Sequence, residues 1–423
     1  MPRDAKGREF YIATSEEIKA GKTTDVYFLR TLGILKKAGK ERTSVVAEVT
    51  AGNLPNGWPW GVLCGVEETV HLLQGKSVSL WSLPEGSLFP PRTARGIPVP
   101  VMMLEGPYGE WALYETPILG MVCQASGIAT KAARIRKLAG DKQVLSFGVR
   151  RMHPGIAPLI ERSVYVAGVD AITTPLGAEL FGAPAMGTMP HALVIVMGGP
   201  REAFAAVHKY LEAKIPRIAL VDTYYDEKTE ALLAVEAIPD LTGVRLDTPA
   251  SRRGNFPSIV REVRWELDLR GHQDVQIFVS GSVDEGSIPA LVEAGADGFG
   301  VGTSLSNAPT IDFAMDIVEV EGKPAAKRGK FGGRKDLQRC PKDGTYEIGV
   351  RTCPACGSKM APAFTQYLDR GRTVTPLPSL NDIRRRTAEE INRASLGPSP
   401  RLYSQVSSRP RYGQVQGRRS DDV

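Results

Sequence analysis

The residues best suited to chemistry stand at the ends of short apolar runs. Arg150 and Arg151 follow VLSFGV, Asp222 closes PRIALVD, and Asp247 closes GVRLD two places after Arg245. Ser280, Gly281 and Ser282 follow VQIFV, Gly300, Gly302 and Thr303 end DGFGVGT, and Asp170 lies inside VDAIT. Arginine grips phosphate or carboxylate through paired N–H groups. Aspartate can hold sugar hydroxyls or Mg²⁺, a hard cation that takes few carboxylates and leaves room for phosphate oxygens. Glycine and hydroxyl residues let backbone N–H groups face an anion. Each residue alone has a plainer reading, since a strand-end aspartate often caps the next helix and glycine serves turns. Successive strand ends carrying such residues point to one site for a phosphorylated sugar with a second anionic group.

Those runs alternate with helical stretches such as APLIERSVYVAG, EAFAAVHKYLEAK and SIVREVRWELDLRG. The alternation predicts βα units, a parallel sheet and closure into an irregular parallel α/β barrel over 116–310. In such barrels the chemistry sits at the C-terminal strand ends, and the last two βα loops hold phosphate. Gly281, Ser282, Gly302 and Thr303 are the candidates for that role. Residues 1–115 lack the alternation: turn-rich AGNLPNGWPWG and LPEGSLFPPRTARG interrupt SVVAEVT and VPVMML, which predicts an N-terminal α/β sandwich domain. His191, in GTMPHAL, opens an apolar stretch. A histidine there can cap or pack, or act as acid, base or nucleophile near neutral pH, and spacing leaves the choice open.

Near the C-terminus, RCPKDGTYEIGVRTCPACGSKM reads as a small metal knuckle. Cys353 and Cys356 form a CPxCG turn, and Cys340 opens CPKDG, a turn of the same shape with Asp343 in the second cysteine's place. Three thiolates with Asp343, or with another residue, would complete a tetrahedron around Zn²⁺; a metal-free knuckle is the alternative. The expected division adds a C-terminal knuckle domain over 311–394 and a disordered basic tail over 395–423.

With 42% hydrophobic and 24% charged residues among 423, the composition is ordinary for a globular chain of two or three domains. No apolar run approaches the roughly 18 residues that span a bilayer, and the N-terminus mixes charges without a signal-like apolar region. A cytoplasmic location is expected, and five cysteines argue against a disulfide framework. The net charge of +6 is concentrated in 322–339, with seven basic residues and one acid, and in the tail. A basic stretch beside a zinc-ribbon-like knuckle raises a second functional class, a nucleic-acid-binding protein, although no interleaved aromatic stacking motif accompanies it.

The motifs TTDVYFLRT, YETPILG, SFGVRRMHPGIAP, GVDAITTPLGAELFGAPAMGTMPHAL, ALVDTYYDE, VRLDTP and FVSGSVDEGSI together resemble the nicotinate phosphoribosyltransferases, within the group that also holds nicotinamide and quinolinate phosphoribosyltransferases. The likeness spans about residues 20–310 and looks most like archaeal-type members with a C-terminal cysteine knuckle. It implies an oligomeric enzyme that joins nicotinate to 5-phosphoribosyl 1-pyrophosphate with Mg²⁺, using ATP as co-substrate. His191 would be the residue phosphorylated by ATP, Phe147 the platform under the pyridine ring, and Arg150 its neighbour. Tyr27 would cover the other ring face from a neighbouring subunit. Asp222, Arg245 and Asp247 would surround the phosphoribose, with Gly281, Ser282, Gly302 and Thr303 on the 5′-phosphate. Asp170 would stand beside the ring, where an aspartate suits an amide and repels a carboxylate, so nicotinate, nicotinamide and quinolinate all stay open.

Overall fold

The computed structural model describes residues 8–397, and the expected tail lies outside them from residue 398 onward. Helix α1 (Val26–Lys37) precedes the valine-rich run SVVAEVTA, which forms β1 (Ser44–Ala51). Alternation sorts its side chains: Val45, Ala47, Val49 and Ala51 enter the main core of this region, while Val46 meets Met103 and Val318 on the opposite face. Strands β2 (Ser79–Ser82) and β3 (Pro100–Pro107) add antiparallel neighbours in the order β1-β3-β2.

Helix α2 (Glu115–Ala139) then carries the chain into the second region. Its first turns supply Ile118 and Val122 to the N-terminal core, and Ala125 through Ala139 supply the next one. The expected boundary at 115/116 therefore coincides with the start of a helix that serves both cores.

Five short strands follow, each ending in a loop that feeds a helix. They are β4 (Gln143–Ser146), β5 (Arg217–Leu220), β6 (Leu241–Leu246), β7 (Gln276–Val279) and β8 (Gly298–Val301), hydrogen-bonded in parallel in the order β4-β8-β7-β6-β5. The helices that matter for the site are α3 (Ala157–Val166), α4 (His191–Met197) and α5 (Glu227–Ala237). Single bridges from Leu145 to Ala171 and from Ile172 to Ala185 extend the arc beyond β4. Among the described residues no strand pairing joins that extension to β5 at the far edge. On the concave side Leu145, Ala171, Ile218 and Phe278 pack with Phe147 and Met186 in one cluster. Burying each of the larger side chains, Leu145, Ile218 and Phe278, is worth about 1.5–3 kcal/mol.

The C-terminal portion departs from the expected division at 310/311. Strand β9 (Phe313–Val320) returns to pair antiparallel with β1, and β10 (Lys323–Pro324) continues that edge. Only β11 (Leu337–Arg339), β12 (Tyr346–Ile348) and β13 (Ala361–Pro362) form a separate small sheet. Then β14 (Thr365–Asp369) and β15 (Arg372–Thr373) rejoin the first sheet beside β2, giving seven strands in the order β10-β9-β1-β3-β2-β14-β15. The physical reason is burial: β1 would otherwise leave one edge unpaired, and Phe313, Met315 and Leu368 would lose the core that covers them. Helix α6 (Leu380–Arg393) finishes the structure as a clamp. Arg384 donates to the carbonyls of Tyr165 and Val169 at 2.6 and 2.7 Å, and Glu390 accepts the Leu88 N–H at 2.7 Å. No helix among the described residues is long and apolar enough to cross a membrane.

Candidate active site at the strand ends

Parallel register places Phe147, Asp222, Asp247, Ser280 and Gly302 on one rim, each just past the last residue of its strand or one beyond. Asp222 Oδ2 accepts the backbone N–H of Asp247 at 2.8 Å, and Asp247 Oδ1 accepts the Ser280 hydroxyl at 2.8 Å. Arg245 donates to Ser280 Oγ at 3.1 Å and to the Met189 carbonyl at 3.2 Å, with Asp247 Oδ2 3.4 Å away. Its guanidinium lies 5.7 Å from the centre of the Phe147 ring. His191, the first residue of α4, points Nε2 between the two carboxylates, 3.9 Å from Asp222 Oδ1 and 3.8 Å from Asp247 Oδ2. Its Nδ1 is 3.1 Å from Thr223 Oγ1.

The electrostatics follow from this enclosure. The Asp222 side chain is 3% exposed and its Oδ1 has no hydrogen-bond partner among the described residues. Burial pushes its carboxyl up to about 6, opposed by His191 and by the N–H of Asp247. Burial also lowers the pKa of Arg245, while Asp247 and Asp222 hold its charge in place.

Two clefts meet at Phe147, Arg150 and Arg245. The more apolar one, about 660 Å³, is walled by Val149, Met152, Thr173, Thr174 and the stretch from Met186 to Pro190, with no carboxylate among the described residues of its lining. The other, about 560 Å³, gathers Lys131, Arg150, Arg151 and Arg245 around Ser280, Gly281, Ser282, Gly302 and Thr303. Gly300 makes the junction possible: a Cβ there would stand 2.3 Å from the Phe147 ring. Gly281 and Ser282 both have positive φ, +79° and +55°, which folds the loop after β7 sharply. Arg253 fastens that loop, donating to the Gly281 carbonyl at 2.7 Å and to the Thr248 carbonyl at 2.8 Å.

Two expected site residues are elsewhere. Asp170 sits at the start of its short strand, where its carboxylate accepts from Arg136 at 2.6 Å and from the Val144 N–H at 2.8 Å. A strand rises about 3.3 Å per residue, so the start of a strand and its C-terminal rim are different places. The rim positions of that strand belong to Thr173 and Thr174. Tyr27 is 55% exposed on α1 and lines neither cleft. Conversely, sequence reasoning missed Lys131, Thr223, Arg253 and two fully buried glutamates. Glu161 accepts the N–H groups of Thr173 and Thr174, each at 2.9 Å, and Glu230 accepts those of Thr223, Tyr224 and Tyr225 at 3.0, 2.6 and 2.9 Å. A glutamate inside a helix carries no sequence mark that distinguishes it from a solvated acid.

The knuckle residues also come together. One ligand atom from each of Cys340, Asp343, Cys353 and Cys356 lies within 4.8 Å of the others. The two turns repeat the same bonds: Gly344 N–H to Cys340 O and Gly357 N–H to Cys353 O, then Cys340 N–H to Thr345 O and Cys353 N–H to Ser358 O. Asp343 thus occupies in the first turn the place that Cys356 has in the second. The basic stretch is mostly neutralised. Lys327 and Lys330 pair with Asp316, Arg334 with Glu105, Lys335 with Glu48 and Arg339 with Glu390. Little of that charge is left for a nucleic acid.

The sequence matches the family "Quinolinate phosphoribosyl transferase, C-terminal domain" over residues 128–316, and the corresponding N-terminal domain over 25–126. A nicotinate phosphoribosyltransferase of Mycobacterium tuberculosis is 32% identical over 367 residues, covering 77% of this chain and 80% of that protein. A Bos taurus nicotinate phosphoribosyltransferase is 25% identical over 428 residues, covering 80% of this chain and 78% of its own. Among solved structures, a nicotinate-nucleotide pyrophosphorylase from Pyrococcus furiosus is 49% identical with a TM-score of 0.87, covering 91% of this chain and 98% of that one. Human nicotinic acid phosphoribosyltransferase shares the fold, with a TM-score of 0.68 at 21% identity over 88% of this chain and 94% of that one. Sequence identity and coverage at this level, over a rim whose residues converge as described, mean that the chain belongs to the nicotinate phosphoribosyltransferase family.

Proposed function

We propose that the protein forms nicotinate mononucleotide and pyrophosphate from nicotinate and 5-phosphoribosyl 1-pyrophosphate, with ATP as co-substrate, in NAD biosynthesis. The observation that carries the choice of pyridine is the apolar cleft: Phe147 offers a ring face, Arg150 and Arg245 offer positive charge, and no carboxylate stands among the described residues of its lining. The pairing of Asp170 with Arg136, away from the rim, supports the acid over the amide.

In this reading Phe147 stacks on the pyridine ring and fixes its nitrogen in line with C1 of the sugar. The nitrogen lone pair forms the new bond to C1 as the bond from C1 to the pyrophosphate oxygen breaks. Positive charge grows on the sugar, and Asp222 and Asp247 face it. Gly281, Ser282, Gly302 and Thr303 surround the 5′-phosphate, and Lys131, Arg150 and Arg151 balance the remaining phosphate charge. The same aspartates suit Mg²⁺, because Asp222 Oδ1 is an unpartnered hard oxygen. When bound there, the cation would neutralise charge on the leaving pyrophosphate. The position of His191 beside both carboxylates supports its role as acceptor of the ATP phosphoryl group.

Four further readings belong with this one. Tyr27 serves the site of a second copy, supported by its place on a helix that also exposes Val26, Leu29 and Ile34, so the enzyme is at least a dimer with shared sites. The archaeal-type assignment draws support from the 49% identity to the Pyrococcus furiosus protein. Closure into a barrel is supported by the concave cluster, in which Ile218 of β5 packs with residues of the opposite edge. The knuckle takes one structural Zn²⁺, held by Cys340, Asp343, Cys353 and Cys356.

The test is a product assay with the sugar donor, Mg²⁺ and either nicotinate, nicotinamide or quinolinate, each with and without ATP. Nicotinate mononucleotide from nicotinate, with faster turnover when ATP is added, is the expected result. Turnover of nicotinamide alone, or of quinolinate with release of CO₂, would reassign the substrate, and no product from any of the three would end the enzymatic reading.

A further inference from the structure

Two loops on the rim are held in the same way and differ in one respect. In each, a glutamate with no exposed surface reaches out of a helix and accepts successive backbone N–H groups of the loop: Glu161 of α3 under Thr173 and Thr174, and Glu230 of α5 under Thr223, Tyr224 and Tyr225. At the first loop the glutamate also takes both threonine hydroxyls, so those side chains are spent on anchoring. At the second loop Glu230 takes backbone only, and the Thr223 hydroxyl is left to meet His191 Nδ1 at 3.1 Å. The loop is therefore fixed without its hydroxyl, and the hydroxyl has another partner.

That partner is placed for a purpose set by hydrogen-bond chemistry. An ionised carboxylate only accepts, so the ring nitrogen facing Asp222 and Asp247 is the one that carries hydrogen. In the neutral imidazole the lone pair then belongs to Nδ1. A threonine hydroxyl can rotate to donate to it. We infer that Thr223, seated by Glu230, is the positioning residue of His191, holding the ring with Nε2–H toward the aspartate pair and Nδ1 as its basic nitrogen. The inference deepens the reading of His191 given above and rests on it for the kinetic consequence only.

The test uses the full-length protein labelled with ¹⁵N in histidine, with the His191 signals assigned by comparison with His191→Gln. Long-range proton–nitrogen spectra of the wild type should show the Nε2–H tautomer. Thr223→Val, which keeps the shape and loses the hydroxyl, should move His191 toward a mixture of tautomers, and Thr223→Ser should restore the wild-type pattern. In steady-state assays with ATP, Thr223→Val should lower kcat about tenfold, the equivalent of one lost hydrogen bond, with KM for nicotinate changed less than about twofold. Thr223→Ala gives the same readings if the valine variant does not fold. A wild-type imidazole spectrum in both hydroxyl-free variants would overturn the inference. So would equal loss of kcat in the serine and valine variants. If the wild type shows no response to ATP, the phosphoryl-acceptor reading of His191 fails by itself, and the imidazole spectra still decide the role of Thr223.

Discussion

The strand-end rim and the cysteine knuckle gather their residues by opposite means. The rim draws Phe147, His191, Asp222, Asp247 and Thr303 from separate strand-loop units, and only the parallel register brings them within reach of one another. The knuckle takes all its donors from positions 340 to 356, where two turns with identical backbone bonds present them. A site of the first kind depends on the whole sheet and can bury a lone carboxylate such as Asp222 at a cost to stability. A site of the second kind depends on its own turns and on what it binds. The two should therefore fail separately.

The largest effect expected is at Asp222. Asp222→Asn should lower kcat/KM by about 10²–10³-fold, the scale seen when one preorganised electrostatic partner of a transition state is removed. Its stability should change in the opposite direction. The folded-state pKa is raised to about 6, so the native state binds the proton more tightly than the unfolded chain, and stability falls as pH rises from about 4 to about 6. His191, Asp247 and Arg245 are the charged groups facing it; Asp247 repels its charge, and the attraction of His191 and Arg245 does not offset the burial. Thermal melts should show Asp222→Asn more stable than wild type at pH 8 and equal to it near pH 4. A variant less stable at pH 8 would mean that the carboxylate supports the fold.

A smaller effect is expected where the clefts join. Gly300→Ala places a methyl group against the Phe147 ring and should raise KM for nicotinate by about tenfold through displacement of the stacking face, with the KM for the sugar donor moved less. Equal changes in both constants would show that Gly300 shapes the whole rim. The smallest effect on turnover should come from the knuckle. Cys353→Ser combined with Cys356→Ser should remove about one zinc per chain, measured by elemental analysis, and lose backbone order over 340–360 in hydrogen exchange. Its kcat/KM should stay within about twofold of wild type, which would sharpen the separation between the two regions; a collapse of activity would break it.

Much of the rim was legible because an apolar run that stops on Asp, Ser or Gly marks a strand end, and Asp222, Asp247, Ser280 and Gly302 are marked in that way. Asp170 carries no such mark: it lies inside VDAIT, and its carboxylate accepts the Val144 N–H away from the rim. The knuckle was legible from the repeated CPxxG shape, including Asp343 in a cysteine's place. The return of β9 and β14 to the first sheet was not, since pairing between residues some 270 positions apart leaves no local pattern. Glu230 and Thr223 escaped for a related reason: their roles exist only once loop and helix are packed.

The return of β9 has a consequence for how the protein is made. A chain leaves the ribosome N-terminus first at about 5–20 residues per second. Strand β1 is among the first segments to emerge, yet its partner β9 and the distant β14 come near the end. The parallel sheet, whose strands lie between residues 143 and 301, is complete in sequence before the sheet that precedes it. For that interval β1 has β3 on one side and an open edge on the other, the kind of surface that recruits a second chain. Synthesis thus runs from the first sheet's exposed half, through the finished strand-end rim, to the strand that closes the beginning.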